Sequence, residues 1–333
     1  MLSALRWGRQ DHKLPTPASR RLLTGGRPLE ATLPFDEVVV WIVGILLMLS
    51  LVMVYSATIA MPDMPKFKNL SSYHFLKNHA IFISVSLFAA LGAAAIPIRF
   101  WEKHAPKLFL LGVVLLVLVL LPGVADVTLG ARRRIDLGPV NIQPSELMKF
   151  FVILYAANYT VRKREQMRSF RKGILPIGLA VSLVGALLLR EPDLGSLIVI
   201  CGIASGMLFL GGIKLRLFIG VILFAAIAFA LVIAFSEFRR DRVLAYLDPF
   251  DPEYVRGRGY QLSRSLIAFD EGGLFGVGLG ASVQKLQFLP EPHTDFVLAV
   301  IGEELGLIAL LVLIVMYFVL SRRLFEIGRQ AVA

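Results

Sequence analysis

The run Leu289-Pro290-Glu291-Pro292-His293-Thr294-Asp295-Phe296 lies near the end of the one long polar interval, Glu237 to Glu304, in an otherwise membrane-like chain. Apolar residues follow it at once. A carboxylate that opens a hydrophobic span sits where water meets lipid, and partial desolvation there raises a carboxyl pKa and suits it to proton transfer. Asp295 is therefore the first catalytic candidate, with Glu291 and His293 beside it as ligand contacts. Residue type supports a second reading equally: Thr294 or Asp295 could cap the helix that follows.

Other charged groups cluster at the ends of apolar runs. Arg132, Arg133 and Arg134 are adjacent within Leu129–Pro139. Guanidinium groups grip phosphate oxygens in paired geometry, so a lipid diphosphate is a natural ligand, as is an anionic lipid head group. Glu146 and Lys149, three apart after Pro144, share one face of a helix start, either as functional charges or as a mutually neutralising pair. Arg190-Glu191-Pro192-Asp193-Leu194-Gly195 reads as a tight turn in which Asp193 is a helix cap. Gly272, Gly273, Gly276, Gly278 and Gly280 lack the Lys-Ser/Thr of a nucleotide loop and point to tight turns and close backbone approach instead. Glu303 and Glu304 fall about 12 Å further along the last span than Asp295. Adjacent carboxylates cannot both face one way, so Glu304 is expected to bond to another helix, with Glu303 left open.

The elements that must carry these groups are membrane helices. With 56% hydrophobic residues and a mean hydropathy of +0.72, the 333-residue chain belongs with integral membrane proteins, and its length counts spans rather than soluble cores. Its one cysteine, Cys201, excludes an intrachain disulfide framework. The fold class is all-α and polytopic, with eight apolar runs near 38–59, 79–98, 107–125, 144–161, 173–189, 195–213, 215–236 and 296–320, joined late by one long outer loop, 237–295. This divides the chain into a basic tail, 1–36, a transmembrane domain, 37–321, and a short end, 322–333. Placing both termini in the cytoplasm gives 20 Lys and Arg to the inner segments, against eight outside the long loop and seven within it. The net charge of +11 thus follows from topology rather than from nucleic-acid binding. Within the long loop, Gly259–Phe269 is expected to form a short helix lying on the membrane.

Several of these stretches match a known family. Glu291-Pro292-His293-Thr294-Asp295-Phe296, with Gly302-Glu303-Glu304-Leu305-Gly306, resembles the signature of the SEDS proteins (shape, elongation, division and sporulation), which are polytopic peptidoglycan glycosyltransferases. Gln143-Pro144-Ser145-Glu146-Leu147-Met148-Lys149 and Pro192-Asp193-Leu194-Gly195 are similar to two further family motifs. The arginine loop matches a third, departing from it at Leu129 and Arg134, and the glycines before Gln284-Lys285 match again. Family members usually have ten spans, so the last two and the C-terminal outer loop fall outside this pattern of eight.

The resemblance implies polymerisation of lipid II at the outer face of the bacterial cytoplasmic membrane. Asp295 would be general base on the acceptor hydroxyl, and Arg133 and Lys285 would neutralise the leaving diphosphate, with a divalent cation (Mg or Mn) as the one cofactor to consider. Glu146, Lys149 and Asp193 would line the same polar cavity, Asp193 as a polar support or cation ligand. The implied partners are a class B penicillin-binding protein and other division or elongation membrane proteins, and the long basic tail favours the division branch. Two other classes are consistent with the charges: a lipid flippase or transporter, and a scaffold that activates a transpeptidase. Labelled lipid II separates the three, by polymer, by translocation without polymer, or by neither.

Overall fold

The computed structural model describes residues 35–63, 71–122, 126–128, 131–136, 141–286 and 288–330. The basic tail up to residue 34, much of the first outer loop and parts of the arginine loop lie outside these. Helix α1 spans Glu37–Thr58, α2 His74–Ala95, α3 Ile98–Leu120, α4 Pro144–Arg162, α5 Leu175–Arg190, α6 Leu194–Leu210 and α7 Leu215–Ala234. Three more follow, α8 at Glu237–Leu247, α9 at Tyr260–Gly272 and α10 at Val297–Gln330. Each apolar run found in the sequence coincides with a helix among the described residues. Six helices are long and apolar enough to cross a membrane by length and composition: α1, α2, α3, α5 with the π-turn before it, α7 and α10. Helix α6, at 17 residues, is shorter, and α4 carries Glu146, Lys149 and Arg162. The chain is a multi-pass membrane protein, built as two compact units.

The first unit joins the N-terminal segment to residues 264–330 of the described chain. Asp36 caps α1, accepting from the Val39 N–H at 3.2 Å, and Glu37 complements the positive end of the helix dipole. Arg323, near the end of α10, donates to Asp36 at 2.8 Å, whereas Ser56, near the end of α1, bonds to Glu304 close to the start of α10. The two helices are therefore antiparallel neighbours. Their seam is filled by Met53, Ala57, Val300, Ile301 and Leu313, with Ala268 of α9 and Leu289.

Helix α10 runs past the expected end at 320 and is broken once, at Gly306 (φ 77°). Backbone groups freed inside a membrane span must find internal partners. Here the glycine loop supplies them: Val277 and Gly278 N–H donate to the Glu303 and Glu304 carbonyls at 2.9 and 3.0 Å. Leu307 and Ile308 N–H donate back to the Gly273 and Leu274 carbonyls at 3.0 and 3.2 Å. A Cβ at Gly276 would overlap the Glu304 carbonyl, and one at Gly306 would overlap the Gly276 amide. Close backbone approach is what these two glycines provide.

The second unit covers residues 82–263. Helix α3 lies against α4 where Gly112 leaves room for Met148 and Phe151, and the core continues through Leu116, Val152, Val184, Leu188, Ile200 and Ala204. A second cluster, Ala156, Tyr159, Met167, Ile177 and Leu208, fills the other end, where the Tyr159 hydroxyl donates to the Gly173 carbonyl at 2.9 Å. Helix α7 buries no residue and exposes its apolar side chains, as a lipid-facing element does.

Two features differ from the sequence reading. The arginine loop is a small antiparallel sheet, β1 (Asp126–Thr128), β2 (Ala131–Asp136) and β3 (Asn141–Ile142), with Ala131 opposite Thr128 and Ile135 opposite Ile142. Charge dominates this stretch and masks the short alternation that marks a strand. The long outer loop contains α8 in addition to the expected α9, on which Ser263, Ser265 and Ala268 are buried.

Candidate active site

In the first unit, Glu291 begins the turn that presents Asp295. It adopts a left-handed backbone (φ 49°), which L-residues visit at a cost of roughly 1–2 kcal/mol. Its carbonyl accepts from the Thr294 N–H at 3.2 Å and the Phe296 N–H at 3.4 Å, and the Thr294 hydroxyl also bonds back to Glu291. The expected contact role for Glu291 is thus joined by a visible one, closing the turn.

His293 is half-buried, with its ring 5.1 Å from that of Phe75 and its Nδ1 atom buried without a hydrogen-bond partner. Burial pushes its pKa below the usual histidine range, against the opposing pull of Glu291, so the ring is neutral at pH 7.

Asp295 is exposed, and among the described residues no hydrogen bond or ion pair engages its carboxylate. The first carbonyl accepting within α10 is that of Phe296, from Ala299 and Val300 at 3.0 and 3.3 Å. No cap bond from Thr294 or Asp295 to the helix is present, so the capping reading does not hold. The carboxylate stands at the N-terminal end of α10 without a partner among the described residues, exposed rather than partly desolvated as its place before an apolar run suggests.

The neighbouring acids are committed elsewhere. Glu304, fully buried, accepts from Ser56 Oγ at 2.7 Å and from Lys285 Nζ at 2.6 Å. Glu303, also buried, accepts from Ser282 Oγ at 2.5 Å and from the Val283 and Gln284 amides at 2.6 and 3.2 Å. Interhelix bonding of Glu304 was expected, and Glu303 proves to anchor the loop.

Lys285 corrects the sequence reading. It is 2% exposed, and its three ammonium donors go to Glu304, to Ser56 Oγ at 3.0 Å and to the Gly280 carbonyl at 2.8 Å. An ammonium so enclosed has no N–H left for a ligand phosphate, and here it neutralises a buried carboxylate. Sequence could not show this, because Ser56 lies 229 positions from Lys285.

In the second unit, Asp193 caps α6 through the Ser196 N–H at 3.1 Å, as its turn position predicts. Its other oxygen accepts from Ser145 Oγ at 3.1 Å, joining two of the recognised motifs in one buried contact. Both Asp193 oxygens are thus engaged within the fold. Among the described residues no group of three or more His, Cys, Asp and Glu could hold a metal ion.

Arg133 reaches the same turn, its Nε donating to the Glu191 carbonyl at 3.1 Å and Nη2 to that of Pro192 at 2.5 Å. This bond ties the strand to the turn and leaves other guanidinium N–H groups free. Glu146 and Lys149 form an ion pair of 2.7 Å near the start of α4, with Glu146 the more exposed partner.

Glu191 is the group that sequence reasoning missed. Its side chain is fully buried with neither oxygen hydrogen-bonded, and burial, with the Asp193 charge next and Arg133 opposing, lifts its pKa to about 8. It is a neutral acid at pH 7. In the sequence it is one more polar residue in a turn.

Comparison with known proteins identifies the family. A family model described as cell cycle protein, covering FtsW, RodA and SpoVE, matches residues 37–333. A probable peptidoglycan glycosyltransferase FtsW of Burkholderia thailandensis is 52% identical over 313 residues, 94% of this chain and 68% of the relative. Its counterpart in Aromatoleum aromaticum is 50% identical over 95% of this chain and 77% of its own. Among solved structures, a chain of a peptidoglycan synthase complex that coordinates polymerization and crosslinking superposes with a TM-score of 0.67 at 26% identity, covering 88% of this chain and 78% of that one. The rod shape determining protein RodA of Thermus thermophilus shares the fold, with a TM-score of 0.60 at 24% identity over 89% of this chain and 76% of its own. By motif, fold and relatives together, this chain belongs to the FtsW, RodA and SpoVE family of cell cycle proteins.

Proposed function

We propose that the chain is a peptidoglycan glycosyltransferase that polymerises lipid II at the outer face of the bacterial cytoplasmic membrane. The observation that carries this reading is the free Asp295 carboxylate at the entrance of α10, beside two buried acids that are fully engaged. The base takes the proton of an acceptor sugar hydroxyl as its oxygen attacks the anomeric carbon of a lipid-linked donor. The bond to the diphosphate breaks with inversion, and the lipid diphosphate leaves with the electron pair. Neutralising that leaving charge is the other requirement of the reaction. The family resemblance gives this role to Arg133 and Lys285, and of the two Lys285 is enclosed by Glu304, Ser56 and Gly280.

The relatives named FtsW support a role in division, and the synthase complex supports a class B penicillin-binding protein as partner. The basic inner segments support a cytoplasmic N-terminus. A transporter reading is weakened by the sealed break in α10. Transporters use the free ends of paired broken helices to bind ions, whereas here the glycine loop takes those groups. Purified protein given labelled lipid II, alone and with its partner, should make glycan polymer, and Asp295→Ala should make none. Translocation without polymer would favour a flippase, and inactivity of the wild type with its partner would favour a scaffold.

A further inference from the structure

A cleft of about 310 Å³ opens between the start of α3 and the end of α4, lined by Arg99, Glu102, Lys103, Pro106, Asn158 and Arg162. None of its three cations forms an ion pair with a carboxylate among the described residues, and against the one carboxylate of Glu102 the cleft keeps a net positive charge. Its position is fixed within the second unit. Helix α4 starts beside Asp193 and ends at Arg162, 19 residues and so about 28 Å away, close to the thickness of a bilayer's hydrocarbon core. The cleft therefore faces the membrane interface opposite the Arg133–Asp193 cluster. Trp101 packs edge-on against Phe150 of α4. Ile98 and Phe100, 76% and 45% exposed, offer apolar surface next to the charges.

We propose that this cleft binds the phosphodiester head group of an anionic phospholipid in the leaflet opposite the Arg133–Asp193 cluster. Two guanidinium groups and an ammonium converge on one phosphate, and basic pockets between membrane helices bind anionic head groups in this way. Asn158 Nδ2 donates to the Glu102 carbonyl at 3.0 Å, which joins the two helices across the cleft. The Glu102 carboxylate sets the preference. It disfavours a free phosphate dianion but accepts hydrogen bonds from the hydroxyls of a glycerol head group, whose acyl chains can lie along Ile98 and Phe100. The volume suits a head group and leaves no room for the chains themselves.

The test uses the full chain in nanodiscs of phosphatidylcholine containing a minority of phosphatidylglycerol, with the lipids retained after extraction counted by native mass spectrometry. Wild type should keep phosphatidylglycerol selectively. Arg162→Gln should weaken retention about fivefold, as expected for one basic side chain at a membrane surface. Combining Arg99→Gln, Lys103→Gln and Arg162→Gln should reduce retention to the phosphatidylcholine level. Arg171→Gln with Lys172→Gln, outside the cleft, should behave as wild type. Inorganic phosphate at millimolar concentration should displace nothing. Equal retention by the cleft and control variants overturns the proposal, as does displacement by inorganic phosphate, which would mark a site for free anions. If the combined variant fails to fold, Arg162→Gln alone decides between these outcomes.

Discussion

Glu191→Gln isolates the energetic consequence of burying a carboxyl without a partner. The folded protein holds this group at about 8 against an ordinary 4.5, so it binds a proton more tightly when folded. Below pH 4.5 both states are protonated and the group is neutral in the balance. As pH rises from 4.5 to 8 the unfolded chain ionises first, and stability falls across that window. The gap corresponds to about 5 kcal/mol at full ionisation, an upper bound because water penetration relieves part of it. Glutamine keeps the shape and cannot ionise. Reversible unfolding in mixed micelles, followed from pH 5 to 9, should show wild type losing roughly 2–5 kcal/mol relative to the variant, with most of the loss between pH 6 and 8. Parallel pH profiles for the two proteins would refute the argument and place Glu191 in contact with water.

Removing one partner of the Lys285–Glu304 pair strands the other charge in a buried site, so Lys285→Met should cost about 3–5 kcal/mol. Adding Glu304→Leu should recover part of that in the same unfolding assay, and additive losses would show that the pair is not coupled. Gly276→Ala forces a Cβ onto the Glu304 carbonyl at a positive φ, and should cost more than about 2 kcal/mol, read as lost monodisperse protein in size-exclusion chromatography. Gly212→Ala has the same sign of φ but open space, and should cost only the conformational part. His293 should titrate below its ordinary 6.5 by NMR, because burial disfavours the imidazolium, and a value above 6.5 would mean that Glu291 outweighs burial.

Helix existence was legible from hydropathy alone, since each long apolar run had only one way to satisfy its backbone in lipid. The turn at Asp193 and the close-approach role of the glycines were also readable, because those residue types answer local backbone demands. Long-range pairing was hidden. Lys285 in sequence is a cation after a glycine loop, and only the fold brings Glu304 and Ser56 to its ammonium. Glu191 looked like turn polarity because burial is a tertiary property. The small sheet was masked by charge, and the break in α10 by a single glycine whose unusual φ is dictated by the loop packed against it. The motif resemblance singled out Asp295 as a candidate, whereas residue type alone left capping equally open.

Asp295→Asn tests the central claim most directly, because its carboxylate has no partner to lose and the fold should change by no more than about 1 kcal/mol. With the variant shown to unfold like wild type, its rate of polymerising labelled lipid II should fall by about a hundredfold or more, the contribution of a general base. A folded Asp295→Asn protein that polymerises within a few-fold of wild type would contradict the account.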